Sequence, residues 1–271
     1  RPHFSGYQES TGADRWRPAA LLEAQKDLRP DACEVAPEIE NFPFTAWTKS
    51  DSLTWSDMAL CFIQGAHALL LDVFPFSGNP ASAEPRIGAL LDKSRPALEW
   101  IKTNFPANLE SIGVGFPWKE DAQQHLRTSA GTSLHEFNAN PFGPASFLMP
   151  YGVPMSRKTG VVNGLFGRLA WAFSDREITG LLKRGLLLDA ESAHILMQRG
   201  FGSLIGLAST NWVYREEAPY AAEEVISPTV GVKPGTFFNF NLLNQALRIN
   251  PLPGAEEWTR ILTPDRRRFG A

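Results

Sequence analysis

The run Ala68-Leu69-Leu70-Leu71-Asp72-Val73-Phe74 is apolar at every position but one, and an extended candidate, Val35-Ala36-Pro37-Glu38-Ile39-Glu40, lies one helix-length before it. A strand that is apolar throughout has to be covered on both faces, which parallel sheets with packed helices require and antiparallel sheets seldom do. Between the two runs, Ser52 is placed to cap a helix reaching about Gln64, Leu53, Met58, Leu60 and Ile63 supply its apolar surface, and Gly65 ends it. Parallel strands need such a crossover, so residues 35–74 read as a β-α-β unit, with its second strand from His67 to Phe74. Helices predicted over 13–27 and over 87–105, the latter stopped by Pro106, continue the alternation and make the fold class α/β.

From about Leu109 the pattern is less regular. Ser111 to Phe116 is a short strand candidate, and Thr128 to Pro144, rich in Gly, Ser and Asn, predicts a long loop. Ser174-Asp175-Arg176-Glu177 has the spacing of a capping box, with Ile178, Leu181 and Leu182 as the apolar face behind it and Gly185 as the expected stop. Leu186-Leu187-Leu188 then predicts a buried strand, Asp189 caps a helix through Arg199, and Gly200 ends it. This α-β-α order suits an open, doubly wound domain. Beyond Ala208, Tyr220 to Ile226 and Thr236 to Phe240 read as strands of a small β domain. The predicted domains are 1–108, 109–212 and 213–271.

Glu34, Glu38 and Glu40 occupy alternate positions, hence one face of an extended chain. Glu40 closes its strand, and the carboxyl ends of parallel strands are where α/β folds place their sites. Two carboxylates on the inner face of a barrel are costly unless they are hydrogen-bonded or do chemistry. The five histidines, His3, His67, His125, His135 and His194, stand singly, without partners at ligand spacing, so no metal is expected. No nucleotide-binding glycine motif and no Gly-x-Ser-x-Gly elbow is present, so no cofactor is expected either, and Gly200-Phe201-Gly202 is accounted for by helix capping.

A net charge of -3, from 26 basic and 29 acidic residues, predicts neither a nucleic-acid surface nor an anionic-membrane surface, and Arg266-Arg267-Arg268 reads as a solvated tail. No apolar run approaches the roughly 18 residues that cross a bilayer. Cys33 and Cys61 lie in apolar segments and read as buried free thiols, which points to a reducing compartment, the cytoplasm. The chain carries 8 Trp and 18 Phe, many beside Pro or Gly, as in Phe42-Pro43-Phe44, Phe74-Pro75-Phe76 and Phe116-Pro117-Trp118. Aromatic loops at strand ends suit carbohydrates, whose rings present apolar CH faces.

The succession Glu40-Asn41-Phe42-Pro43, a helix, Gly65-Ala66-His67-Ala68-Leu69-Leu70-Leu71 and an aromatic at Phe74 resembles strands seven and eight of the (β/α)8 barrel in family-42-type β-galactosidases and related retaining glycosidases. That family has Asp and Gly where this chain has His67 and Ala68. The stretch from Leu186-Leu187-Leu188-Asp189 through Arg199-Gly200-Phe201-Gly202 to Ile205-Gly206 is similar to the flavodoxin-like domain that follows the barrel there and mediates trimer formation. The resemblance implies the C-terminal part of a barrel, a flavodoxin-like α/β domain and the start of a small β domain. It implies a β-galactoside or related β-hexoside as substrate, Glu40 as nucleophile, and Tyr7, Glu9, Glu38 and Asn41 as polar groups around it. Trp47 and Phe74 are the implied stacking platforms.

Retaining glycosidases also use a second carboxylate as general acid/base, which in this clan ends strand four. The expectation is therefore that this residue, with the N-terminal barrel half, precedes Arg1. Two rival readings are a non-catalytic carbohydrate-binding or assembly protein, in which Glu38 and Glu40 only hydrogen-bond a ligand, and a glutamine-amidotransferase-like protein. Against the latter, neither cysteine sits at a strand-to-helix elbow in the second domain.

Overall fold

Helix and strand alternate from His3 to Gly115, and the alternation lapses further along the chain. The computed structural model describes residues 3–4, 7, 15–29, 34–45, 47–106, 109–128, 134–139, 143–213, 222–239 and 246–270. In chain order the elements are β1 (His3–Phe4), α1 (Trp16–Leu28), β2 (Glu38–Glu40), α2 (Asp51–Ile63), β3 (Leu70–Asp72), α3 (Pro85–Asn104), β4 (Val114–Gly115), α4 (Ala122–His125), α5 (Gly143–Leu148) and β5 (Met155–Ser156). Then come β6 (Val162–Leu165), α6 (Asp175–Leu182), β7 (Gly185–Leu188), α7 (Ala190–Gln198), β8 (Leu207–Val213), β9 (Ala222–Val225), β10 (Phe237–Asn239), β11 (Ala246–Pro251), β12 (Thr259–Leu262) and β13 (Arg268–Gly270). The protein is mixed α/β. Residues 1–117 with 141–160 form one unit, and residues 118–140 with 161–271 form another.

In the first unit β1, β2 and β3 lie side by side in sequence order, all parallel, with Glu38 in register with His3 and Leu70, and Glu40 with Asp72. Ile39, in the middle of β2, is fully buried among Ala19 and Leu22 of α1 and Met58 and Cys61 of α2, and Ile87, Leu91 and Leu98 of α3 pack against the same cluster. All three helices thus cover the Ile39 face. Strand side chains alternate, so half-buried Glu38 and Glu40 occupy the other face. Elsewhere in this unit β4 pairs in parallel with β5. Gly113, at φ +149, leads into β4 where a Cβ would lie 2.0 Å from the Pro154 carbonyl oxygen, so only glycine fits that approach.

Two expectations need correction here. Ser50, not Ser52, caps α2: its hydroxyl accepts the Leu53 amide at 3.0 Å, and Ser52 already lies in the first turn. The second strand is also shorter than His67–Phe74, and Leu70 and Leu71 are 42% and 40% exposed rather than buried on both faces. The amides of His67 and Ala68 both turn to the Val35 carbonyl, at 2.8 and 3.4 Å, ahead of the ladder, and β3 is an outer strand of this sheet.

In the second unit β6 and β7 are parallel, with α6 between them. The capping box forms as predicted: Ser174 Oγ accepts the Glu177 amide, and Glu177 Oε2 accepts the Ser174 amide at 2.7 Å. The Ser174 hydroxyl and Lys119 hold the Glu177 carboxyl down at about 2. Gly185 does not stop α6 but opens β7, because the helix already ends at Leu182 with Lys183 as its cap. The leucines of β7 are not fully buried; Leu187 is exposed. Leu165, Ile178 and Leu196 form the fully buried centre of this unit. Beyond it β8 pairs antiparallel with β11, and β10-β9-β12-β13 form a second antiparallel sheet. β9 and β10 fall in the runs predicted at 220–226 and 236–240, whereas β8, β11, β12 and β13 lie outside them, and Arg268, expected in a solvated tail, opens β13 opposite Leu262.

Asp189 ties two elements of this unit together: Oδ1 accepts the Ser192 amide at 2.8 Å, capping α7, and also the Gly167 amide at 2.9 Å. Asp189→Ala should lower stability by about 2 kcal/mol, one part for the lost cap and one for the unpaired Gly167 amide. Urea unfolding reads this loss, and Asp189→Asn should recover most of it.

Candidate active site

Glu40 is the last residue of β2, at the carboxyl end of the parallel sheet. Its Oε2 accepts a 2.9 Å hydrogen bond from the Tyr7 hydroxyl. Burial, this hydrogen bond, and the charges of Glu40 and Glu38 together push the Tyr7 phenol up to about 12. Tyr7 is therefore a donor at neutral pH, and Glu38, one pleat back on the same face, adds negative potential. Two of the residues expected around Glu40 are thus grouped with it, while Glu9 lies outside the described residues.

A buried polar network supports the chain as it leaves β2. Lys49 and Asp57 form an ion pair at 3.0 Å with both side chains wholly inaccessible to solvent. The Lys49 ammonium also donates to the main-chain carbonyl of Glu40 at 3.2 Å. Asn41 Nδ2 donates to Thr54 Oγ1 at 3.0 Å, Thr54 donates to the Ser50 carbonyl, and the Asn41 amide donates to the Asp72 carbonyl at 3.1 Å. Asn41 Oδ1 is buried with no hydrogen-bond partner among the described residues. Asn41 therefore anchors the Glu40 exit to α2 and β3. Lys49, Thr54 and Asp57 are missing from the sequence reading. Thr54 and Asp57 are polar residues on the stripe of α2 that also holds Leu53, Met58 and Cys61, which is a signal for them, whereas Lys49 precedes the helix and carries none. The same burial, with the Asp57 carboxylate, pushes the Cys61 thiol up and leaves it an unreactive core residue; Cys33 lies outside the described residues.

Past Asn41 comes a cis Phe42-Pro43 bond, and then Phe44, whose φ is +65 and whose amide donates to the Asn41 carbonyl. Tyr7 meets Phe42 edge-on with ring centroids 6.2 Å apart, Phe42 meets Phe44 at 6.2 Å, and Phe44 meets Phe76 at 4.5 Å. Trp47 is 96% exposed, and Phe74 packs against the apolar cluster beneath the sheet. Phe76, two residues beyond Phe74, is the aromatic that joins the rings leading from Glu40.

A cavity of about 610 Å³ lies at the other end of the strands, lined by Glu23, Lys26, Val35 and His67 among others. Burial raises its Glu23 carboxyl and lowers its Lys26 ammonium. Its charges are mostly spent on neighbours: Lys26 donates to the Gln64 carbonyl, and Lys158 pairs with Glu110. Parallel α/β sheets bind at the opposite, carboxyl end, so Glu40 marks the better candidate. Among the described residues no group of three or more His, Cys, Asp or Glu could hold a metal ion, and no helix is long and apolar enough to cross a membrane. Compared with known proteins, the chain matches no family model, no curated protein and no solved structure.

Removing one partner of a buried ion pair strands a charge, whereas replacing both with apolar groups of like size costs little. Lys49→Met should destabilise by about 3–5 kcal/mol, and Lys49→Met with Asp57→Leu by far less; chemical unfolding of both variants tests this. The Tyr7 phenol gives a second prediction. Its folded value lies above the ordinary phenol value of 10.0, so its contribution to stability is complete below pH 10 and is lost as pH rises toward 12. Of the four tyrosines, one should ionise late in an ultraviolet difference titration, and that late step should be absent from Tyr7→Phe.

Proposed function

We propose that the chain belongs to a retaining glycoside hydrolase acting on β-galactosides or related β-hexosides, with Glu40 as its nucleophile. The observation that carries this reading is the Glu40 carboxylate at the carboxyl end of β2, on the face away from the helices, with its Oε2 held by the Tyr7 hydroxyl. A barrel is supported by the order of the strands. Parallel strands that add sequentially, with α1, α2 and α3 on one face, follow from right-handed crossovers wound in one direction, as in a (β/α)8 barrel. The succession β6-α6-β7-α7 supports a flavodoxin-like second domain, followed by a β extension, with assembly into trimers as its role.

In the first step a Glu40 oxygen attacks the anomeric carbon. The bond from that carbon to the leaving oxygen breaks, and its electron pair stays on that oxygen, which takes a proton from a second carboxyl group. Water then attacks the anomeric carbon of the glycosyl-enzyme, gives its proton to the same second group, and frees Glu40. In the barrel reading that second group stands on another strand end. Tyr7 donates to the nucleophile before attack and orients the oxygen that does not react, and Glu38 borders the sugar, whereas Asn41, expected beside the sugar, is turned to Thr54 and acts only through the backbone it anchors.

A 2,4-dinitrophenyl 2-deoxy-2-fluoro-β-galactoside isolates the first step, because dinitrophenolate departs without protonation and the fluorine slows release of the sugar. The expected result is a burst of about one equivalent of dinitrophenolate and a fluorosugar adduct mapped by peptide mass to Glu40. Glu40→Gln should unfold at the same urea concentration as the parent, give no adduct, and lower turnover of aryl galactosides by about 10⁴-fold or more. An adduct on any other residue, or near-normal turnover by Glu40→Gln, removes the assignment.

A further inference from the structure

Phe44 is out of place by local rules. At φ +65 it occupies the left-handed region, which glycine enters freely and an aromatic residue enters only under constraint. A turn that merely redirected the chain would carry Gly or Asn there. What the conformation secures is the place of a ring: Phe44 stands between Phe42 and Phe76, with centroids at 6.2 and 4.5 Å. Phe42 in turn meets Tyr7, whose hydroxyl binds the Glu40 carboxylate.

Four rings from three stretches of chain therefore run without interruption from the carboxylate outward. Phe42 is 52% and Phe76 73% exposed, so the outer part of this row is open to a ligand. The polarity of the row changes along its length. At the inner end Tyr7, Glu38 and Glu40 offer a donor and acceptors, as sugar hydroxyls require. The rings of Phe42, Phe44 and Phe76 offer only flat apolar area, with neither donor nor acceptor. The rings themselves offer the hydroxyls of a second sugar no partner, whereas a flat apolar group needs none.

We infer that Phe42, Phe44 and Phe76 form the leaving-group subsite of the Glu40 centre and select aryl β-glycosides. The inference rests on the reading of Glu40 as a glycosidase nucleophile and adds the aglycone class to it.

Uncleavable thioglycosides separate the two. The full chain is titrated calorimetrically with phenyl and methyl 1-thio-β-galactoside, and with the matching glucosides. The phenyl compound of the preferred sugar should bind about tenfold tighter than the methyl compound. Phe76→Ala removes an exposed ring, and Phe44→Gly removes a ring while relieving the positive φ, so both variants should fold. Each should erase most of the phenyl preference and leave methyl thioglycoside affinity unchanged. Equal affinity of phenyl and methyl compounds in the parent, alongside a trapped Glu40 adduct, overturns the subsite and spares the nucleophile. A phenyl preference that survives both variants also overturns the subsite alone. Absence of sugar-dependent binding together with absence of an adduct overturns both.

Discussion

Ile39 has to be covered, and its two neighbours must then face the other way. This consequence of the strand pleat fixes the plan of the first unit. The fully buried Ile39 draws α1 and α2 onto one side of β2, and α3 packs against the same cluster. Glu38 and Glu40 are thereby kept away from the apolar layer, where a carboxylate would need full compensation. The position of Glu40 at the carboxyl end of a parallel sheet then follows from strand direction alone. Nothing about this placement requires a special interaction; it requires only that Ile39 win the inward position.

The special interaction lies one step further along the chain. The Lys49–Asp57 pair is sealed from solvent, and a buried ion pair is seldom more stabilising than apolar residues of the same shape. What it provides here is direction. An apolar side chain at 49 would fill the space, but it could not fix the Glu40 carbonyl, which Lys49 binds at 3.2 Å. Together with Asn41 on Thr54 and on the Asp72 carbonyl, it holds the residues that follow β2 to α2 and β3. The Glu40 carboxylate thus stands on a backbone restrained from two sides.

The parts legible in the sequence are those set by short spacings. The capping box of Ser174 and Glu177, the Asp189 cap, and the shared face of Glu38 and Glu40 all depend on residues within about one turn or one pleat of each other. The Tyr7–Glu40 bond was legible only through a resemblance, because it spans 33 residues and depends on β1 lying beside β2 in register. Leu70 and Leu71 misled for the converse reason: their composition suits a buried strand, but exposure is decided by which strands lie alongside. β8 escaped notice because Ser209, Thr210 and Asn211 give it no apolar alternation; it exists through its pairing with β11.

Away from Glu40 the first unit mostly obeys its local rules: Ser50 caps α2, Gly65 at φ +84 follows it, and apolar residues fill the layer between sheet and helices. Two departures flank Glu40. Lys49 and Asp57 put charges where an apolar pair would serve packing better, and Phe44 takes a conformation suited to glycine. One restrains the backbone beneath the carboxylate and the other sets a ring in the row beside it. Sequences specify folds by agreement between local and global preferences, and they break that agreement chiefly where a site demands it. Packing explains neither departure, since simpler residues would serve packing as well at both positions. Both are accounted for if the region from Glu40 to Phe44 is shaped for a ligand, with polar groups at its inner end and phenyl rings at its outer one.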